Sequence, residues 1–109
     1  MIIATRQLRI RTAYGDTNVE VRLFRPTQED GTWVCNFEID WPDITKKSYA
    51  AGADAFQAIF LALQTIGIQL YTSDYHASGA LFWSESAGGY GFPHMSSLRD
   101  LLVGDDLSL

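Results

Sequence analysis

Three side chains able to bind a metal, Cys35, His76 and His94, stand far apart along the chain. Structural zinc sites draw their ligands in closely spaced pairs, and no such spacing occurs here. No metal site is expected. Nucleophilic catalysis has equally little to start from, because none of the serines sits in a Gly-x-Ser-x-Gly elbow. Cys35 alternates in phase with Trp33 and Phe37, which places it in a core, where a thiol is raised in pKa and inert. Gly88-Gly89-Tyr90-Gly91 lacks the Lys-Ser/Thr ending of a phosphate loop. No catalytic residue and no cofactor are expected, and the reading leans away from an enzyme.

The side chains best suited to recognition are aromatic. Tyr90, Phe92 and His94 alternate with Gly91 and Pro93, as in a loop that displays every second side chain. With Tyr71, Tyr75, His76 and Trp83 they make the second half rich in amphipathic rings, which dominate binding hot spots. Stacking on nucleic acid also needs a positive groove, and the charge distribution denies one. Residues 1–25 hold five arginines against two acids, whereas the rest holds three bases against eleven acids, within a net charge of −5. A basic protein partner suits that balance, and nucleic acid does not.

Positioning these residues requires a scaffold, and 109 residues suffice for one domain, 1–109, with a core of its own. The lone cysteine points to a reducing compartment. No secretory signal or membrane-length apolar run is visible, so a cytoplasmic protein without membrane contact is expected.

From Ile3 to Ala13 the pattern has period two, with Leu8 and Ile10 on one face and Arg9 and Arg11 on the other. Tyr14 to Asn18 reads as a turn, after which Val19, Val21 and Leu23 alternate with Glu20, Arg22 and Phe24. Past the turn Glu29-Asp30-Gly31, the residues Trp33, Cys35, Phe37 and Ile39 alternate with Val34, Asn36, Glu38 and Asp40, until Pro42 stops the strand. Lys46 to Ala50 forms a fourth strand.

Asp54 followed by Gln57 has the form of a capping box. The helix that follows runs to about Tyr71, with Phe56, Ile59, Leu63, Ile66 and Leu70 as the stripe expected to face the sheet. On its far side, Leu61 and Ile68 stand among glutamines where charge would be usual. Either the C-terminal segment, with Leu98, Leu101 and Leu102 at helical spacing, covers them, or a partner does. Ala80 to Trp83 reads as a short strand, and a short C-terminal helix capped by Ser96 or Ser97 ends near Gly104. The fold class is therefore α+β, an antiparallel sheet of three to four meander strands packed on one long helix.

Thr5-Arg6, Trp33-x-Cys35-x-Phe37-x-Ile39, Gly52-x-Asp54-x-x-Gln57-Ala58, Leu81-Phe82-Trp83 and Gly91-Phe92-Pro93 together resemble a family of short, uncharacterised bacterial proteins, a domain of unknown function. The resemblance implies a stand-alone bacterial domain and carries over no functional residue.

The expected function is a small non-catalytic protein-binding module, of the inhibitor or immunity type, that acts on a basic partner. Its surface would hold Tyr75, Tyr90, Phe92, His94, Leu61 and Ile68. Two alternatives stand beside it. One is a small-molecule binder or minor enzyme with a pocket near Trp83, Tyr90 and His94. The other is a homodimeric structural protein joined through Leu61 and Ile68, so that both monomer and homodimer are expected states.

Overall fold

The computed structural model describes residues 1–83 and 89–93. Six strands and two helices follow in the order β1 (Ile2–Thr12), β2 (Gly15–Phe24), β3 (Thr27–Glu29), β4 (Thr32–Asp40), β5 (Thr45–Gly52), α1 (Ala55–Tyr71), α2 (Asp74–Ala77) and β6 (Leu81–Phe82). The expected α+β architecture is the observed one, with a larger sheet than expected. The short C-terminal helix lies outside the described residues.

All ladders are antiparallel. β1 and β2 form a long hairpin in which Thr12 pairs with Gly15, so the turn is only Ala13-Tyr14. It is tighter than the Tyr14–Asn18 turn read from the sequence, because Gly15 takes φ +117 and lets β2 start at once. Pro26 then interrupts pairing, and the chain resumes as β3, which returns into β4 through Asp30-Gly31. Both turn residues have positive φ, 51 and 81, as a two-residue turn matched to strand twist requires.

One edge of β4 runs the length of β5, from Trp33 opposite Gly52 to Asp40 opposite Thr45. The other edge is shared, with β2 opposite Phe37–Ile39 and β3 opposite Thr32–Val34. At the far side of the sheet β6 adds to β1 at Arg9 and Ile10.

Period-two alternation sorts the two faces as the sequence indicates. Leu8, Ile10, Val19, Val21, Leu23, Cys35, Phe37 and Ile39 are buried beneath α1 and the chain that follows it, while Trp33 is half-buried against them. On the other face Arg22 reaches Glu20 at 2.8 Å, Glu38 at 3.0 Å and Asp40 at 3.7 Å. The hydrogen bond that Arg22 donates to Glu20, with Glu38 and Asp40 adding to it, holds the guanidinium above its usual range. Arg22 is thus committed to neighbouring acids.

α1 begins with the capping box: Gln57 N–H donates to the Asp54 carboxylate at 2.7 Å, and Gln57 Oε1 accepts from Ala53 N–H at 2.6 Å. The stripe that faces the sheet is rotated from the expected one. Ala58, Ala62, Ile66, Gly67 and Leu70 are buried, Ile59 and Leu63 are half-buried, and Phe56 is 86% exposed. Small residues win the contact face because the helix lies close on β4 and β5. A Cβ on Gly52 would meet the Ala58 nitrogen at 2.6 Å, and Phe56 does not fit such a gap.

Candidate functional site

Arg6 is the inward-phase residue of β1 that precedes Leu8 and Ile10, and it organises the aromatic segment. Its Nη1 donates to the carbonyls of Tyr90 at 3.1 Å and Gly91 at 3.0 Å. Its guanidinium carbon lies 4.1 Å from the Trp83 ring centroid and 4.7 Å from that of Phe92, two cation–π contacts. The segment is therefore strapped across the inner sheet face. Gly91 has φ +78, and a Cβ there would meet the Arg6 Nη1 and the Trp83 ring at 2.5 Å.

Tyr90, expected on the display loop, is 4% exposed. Its hydroxyl pairs with His76 Nδ1 and lies 3.4 Å from the Leu81 carbonyl, with the Tyr71 ring 4.9 Å away. Burial pushes the hydroxyl above its usual pKa, so it stays protonated. A general acid or nucleophile needs the opposite shift. Cys35, fully buried with Sγ 3.4 Å from the Phe24 carbonyl, is pushed up in the same way.

The remaining expected surface residues do not share one face with Tyr90. Phe92 is half-buried against the core and under Arg6. Tyr75 stacks on Trp41, centroids 5.2 Å apart, and donates to Asp43 at 3.4 Å, at the end of the sheet where β4 turns into β5. Leu61 is half-buried against the core and Ile68 is half-buried on the far side of α1. His94 lies outside the described residues, as do Leu98, Leu101 and Leu102. Trp83 is 40% exposed over Arg6, and a hollow of about 120 Å³ lined by Arg6, Leu63, Ile66 and Phe92 lies nearby, without Trp83 or Tyr90 in its lining. Among the described residues no three His, Cys, Asp or Glu side chains gather to hold a metal ion.

Several hollows open on the described surface, and two of them lie beside a tryptophan. One, of about 240 Å³, lies beside Trp41 and Tyr75 and is bordered by Lys46, Asp43 and Asp74. Gln69 also lines it, and the Gln69 Oε1 is a buried acceptor with no hydrogen-bond partner. The other, of about 550 Å³, lies between β3 and the start of α1, bounded by Arg25, Pro26, Thr27, Gln28, Trp33, Ala55 and Ile59.

The register brings more to the rim of the second hollow. Trp33 pairs with Gly52, so the β3–β4 turn carrying Glu29 and Asp30 lies at the same end of the molecule as Asp54. All three acids are exposed, and the exposed Phe56 follows Ala55 directly. Sequence reasoning missed this surface because it assigned Phe56 to the core. The available signal was the helix composition: α1, from Ala55 to Tyr71, contains no charged residue at all.

No helix among the described residues is long and apolar enough to cross a membrane. A family model described as a domain of unknown function, DUF6968, matches residues 4–94. No curated protein and no solved structure matches the chain.

Proposed function

The chain belongs to the DUF6968 family, and because that description carries no activity we propose, from the surface itself, a non-catalytic module that binds a basic protein partner. The partner would dock at the hollow between β3 and the start of α1. One observation carries this reading: an almost fully exposed phenylalanine that follows Ala55 at the rim of an apolar hollow, with three acids on the flanking elements and, among the described residues, Arg25 as the one base in its lining.

Leaving Phe56 in water forgoes roughly 1.5–3 kcal/mol of burial free energy, which a partner can recover. Large rings seated in desolvated hollows are the usual anchors of protein interfaces. Glu29, Asp30 and Asp54 would speed encounter with a basic surface and disfavour an acidic one. This is the chemistry of an inhibitor or immunity-type protein that neutralises a basic target.

The hollow beside Trp41 offers less to decide on. Lys46 stands there against Asp43 and Asp74, so neither sign of charge is clearly favoured.

A bacterial, cytoplasmic setting is part of the same proposal, supported by the resemblance described above and by a single unpaired, buried cysteine. The quoted motifs have physical reasons to recur in such a family. Cys35, Phe37 and Ile39 are each 0% exposed, Asp54 and Gln57 form the cap, and Gly52 permits the close approach of Ala58.

The test is capture from cells of the source organism with tagged full-length protein, read by mass spectrometry. Wild type is set beside Phe56→Ser and beside Glu29→Lys/Asp30→Lys. The expected result is one basic protein retained by wild type, lost from both variants and released by raised salt. A protein retained equally by all three would remove the proposed surface.

A further inference from the structure

The hollow of about 120 Å³ at Phe92 lies between the inner sheet face and α1. Val21 and Leu23 of β2, Leu63 and Ile66 of α1, and Phe92 give it an apolar wall. Among the described residues Arg6 is the one charged side chain in its lining. An apolar hollow with a single cation at its side raises the question of what that cation faces.

A guanidinium carries five N–H donors. In Arg6 the Nη1 group makes both hydrogen bonds, to the Tyr90 and Gly91 carbonyls. Nε–H and the two N–H of Nη2 have no protein acceptor among the described residues. No carboxylate there lies within ion-pair distance of Arg6, whereas Arg22, on the opposite face of the sheet, meets three. The Trp83 and Phe92 rings, 4.1 and 4.7 Å from its guanidinium carbon, hold the group in place. A fixed cation with an open Nε–Nη2 edge has the fork geometry that matches a carboxylate.

We propose that this hollow binds a small organic carboxylate, which takes Nε–H and Nη2–H of Arg6 and lays a short hydrocarbon tail against Leu23, Leu63, Ile66 and Phe92. The volume sets the length of the tail. An apolar cavity of about 150 Å³ accepts benzene, so this one takes roughly four or five carbons. The charge sets the head group. An amine would be repelled by Arg6, and a neutral amide would forgo the charge-assisted pair.

Titration of isotope-labelled full-length protein, followed by NMR, tests this with pentanoate as the probe, beside acetate, pentanamide and pentylamine. Pentanoate should give saturable shifts at the amides of Arg6, Leu23, Leu63 and Phe92. Each methylene beyond acetate should tighten binding by up to ~4-fold. Pentanamide should bind about 10-fold more weakly than pentanoate, and pentylamine more weakly still. Arg6→Gln should erase the preference for the carboxylate. Because that change also removes the anchor of the strap, Leu63→Trp, which fills the hollow and keeps Arg6, is the second variant. It should lose pentanoate binding while the amide shifts of β4 and β5 stay at their wild-type values.

Equal affinity for pentanoate, pentanamide and pentylamine overturns the proposal, since Arg6 then plays no part. The absence of any saturable shift in the millimolar range overturns it, and so does wild-type affinity in Leu63→Trp. Shifts at the same amides on diluting the ligand-free protein would assign the hollow to a second copy and overturn it as well. None of these outcomes bears on the partner surface, because neither Phe56 nor the three acids there line this hollow.

Discussion

Burial holds the Tyr90 hydroxyl protonated beyond its usual range, where it pairs with His76 Nδ1 and lies 3.4 Å from the Leu81 carbonyl. The neutral form is favoured in the folded state, so this contribution is complete below about pH 10 and is lost as pH rises through the raised folded value. Tyr90→Phe should cost about 1 kcal/mol at neutral pH, the net worth of a buried hydrogen bond. The gap between wild type and variant should narrow above pH 10, as read by urea unfolding at pH 7, 9 and 11. A gap unchanged at pH 11 would show that the Tyr90 proton does not carry the effect. Tyr75 and Cys35 are raised by burial as well, so some alkaline loss persists in the variant. The two residues differ in how far the sequence exposes their fate. Cys35 is legible because strand alternation has a period of two and its neighbours in phase are Trp33 and Phe37. Tyr90 is not, because glycines on both sides imitate a display loop. The available hint was Arg6, a charge placed in phase with Leu8 and Ile10, which needed carbonyls and rings to face.

Among elements, α1 was the easiest to find and the easiest to misorient. Its cap depends on two side chains at fixed spacing, so the sequence places its start correctly. Asp54→Ala should destabilise the protein by about 1 kcal/mol, and Asp54→Asn by much less, because either oxygen can accept from the Gln57 amide. Equal losses in thermal melts of the two variants would mean that charge, not the cap, is at work. The orientation failed because a hydrophobic stripe weights side chains by size, while close packing on a sheet selects for smallness. Ala58, Ala62 and Gly67 hold the buried face, and Phe56 is turned out. β3 went unrecognised for a related reason: three exposed polar residues, Thr27 to Glu29, carry no alternation of burial to betray a strand.

At the scale of the molecule, strands β1 to β5 ladder among themselves over short distances in sequence, and that part of the sheet is what alternation and turns in the sequence announce. Ala80 to Trp83 reads as a short strand, but nothing local announces that β6 lies beside Arg9 and Ile10. That one ladder joins positions some seventy residues apart, and the strap from Tyr90 to Pro93 closes with it over Gly67 and Arg6. A chain searching for its native state meets the short-range ladders first and pays the entropy of the long closure last. Substitutions at the strap should then leave the refolding rate nearly unchanged and accelerate unfolding, as interactions absent from the transition state do. Gly67→Ala, whose methyl group collides with the Pro93 carbonyl, should cost roughly 1–3 kcal/mol, almost all of it in the unfolding arm of a stopped-flow chevron. Val21→Ala, within that part of the sheet, should slow refolding. The feature that ties the two ends of the chain together would thus act as a latch on lifetime: it sets how long the folded molecule lasts and has little say in how quickly it forms.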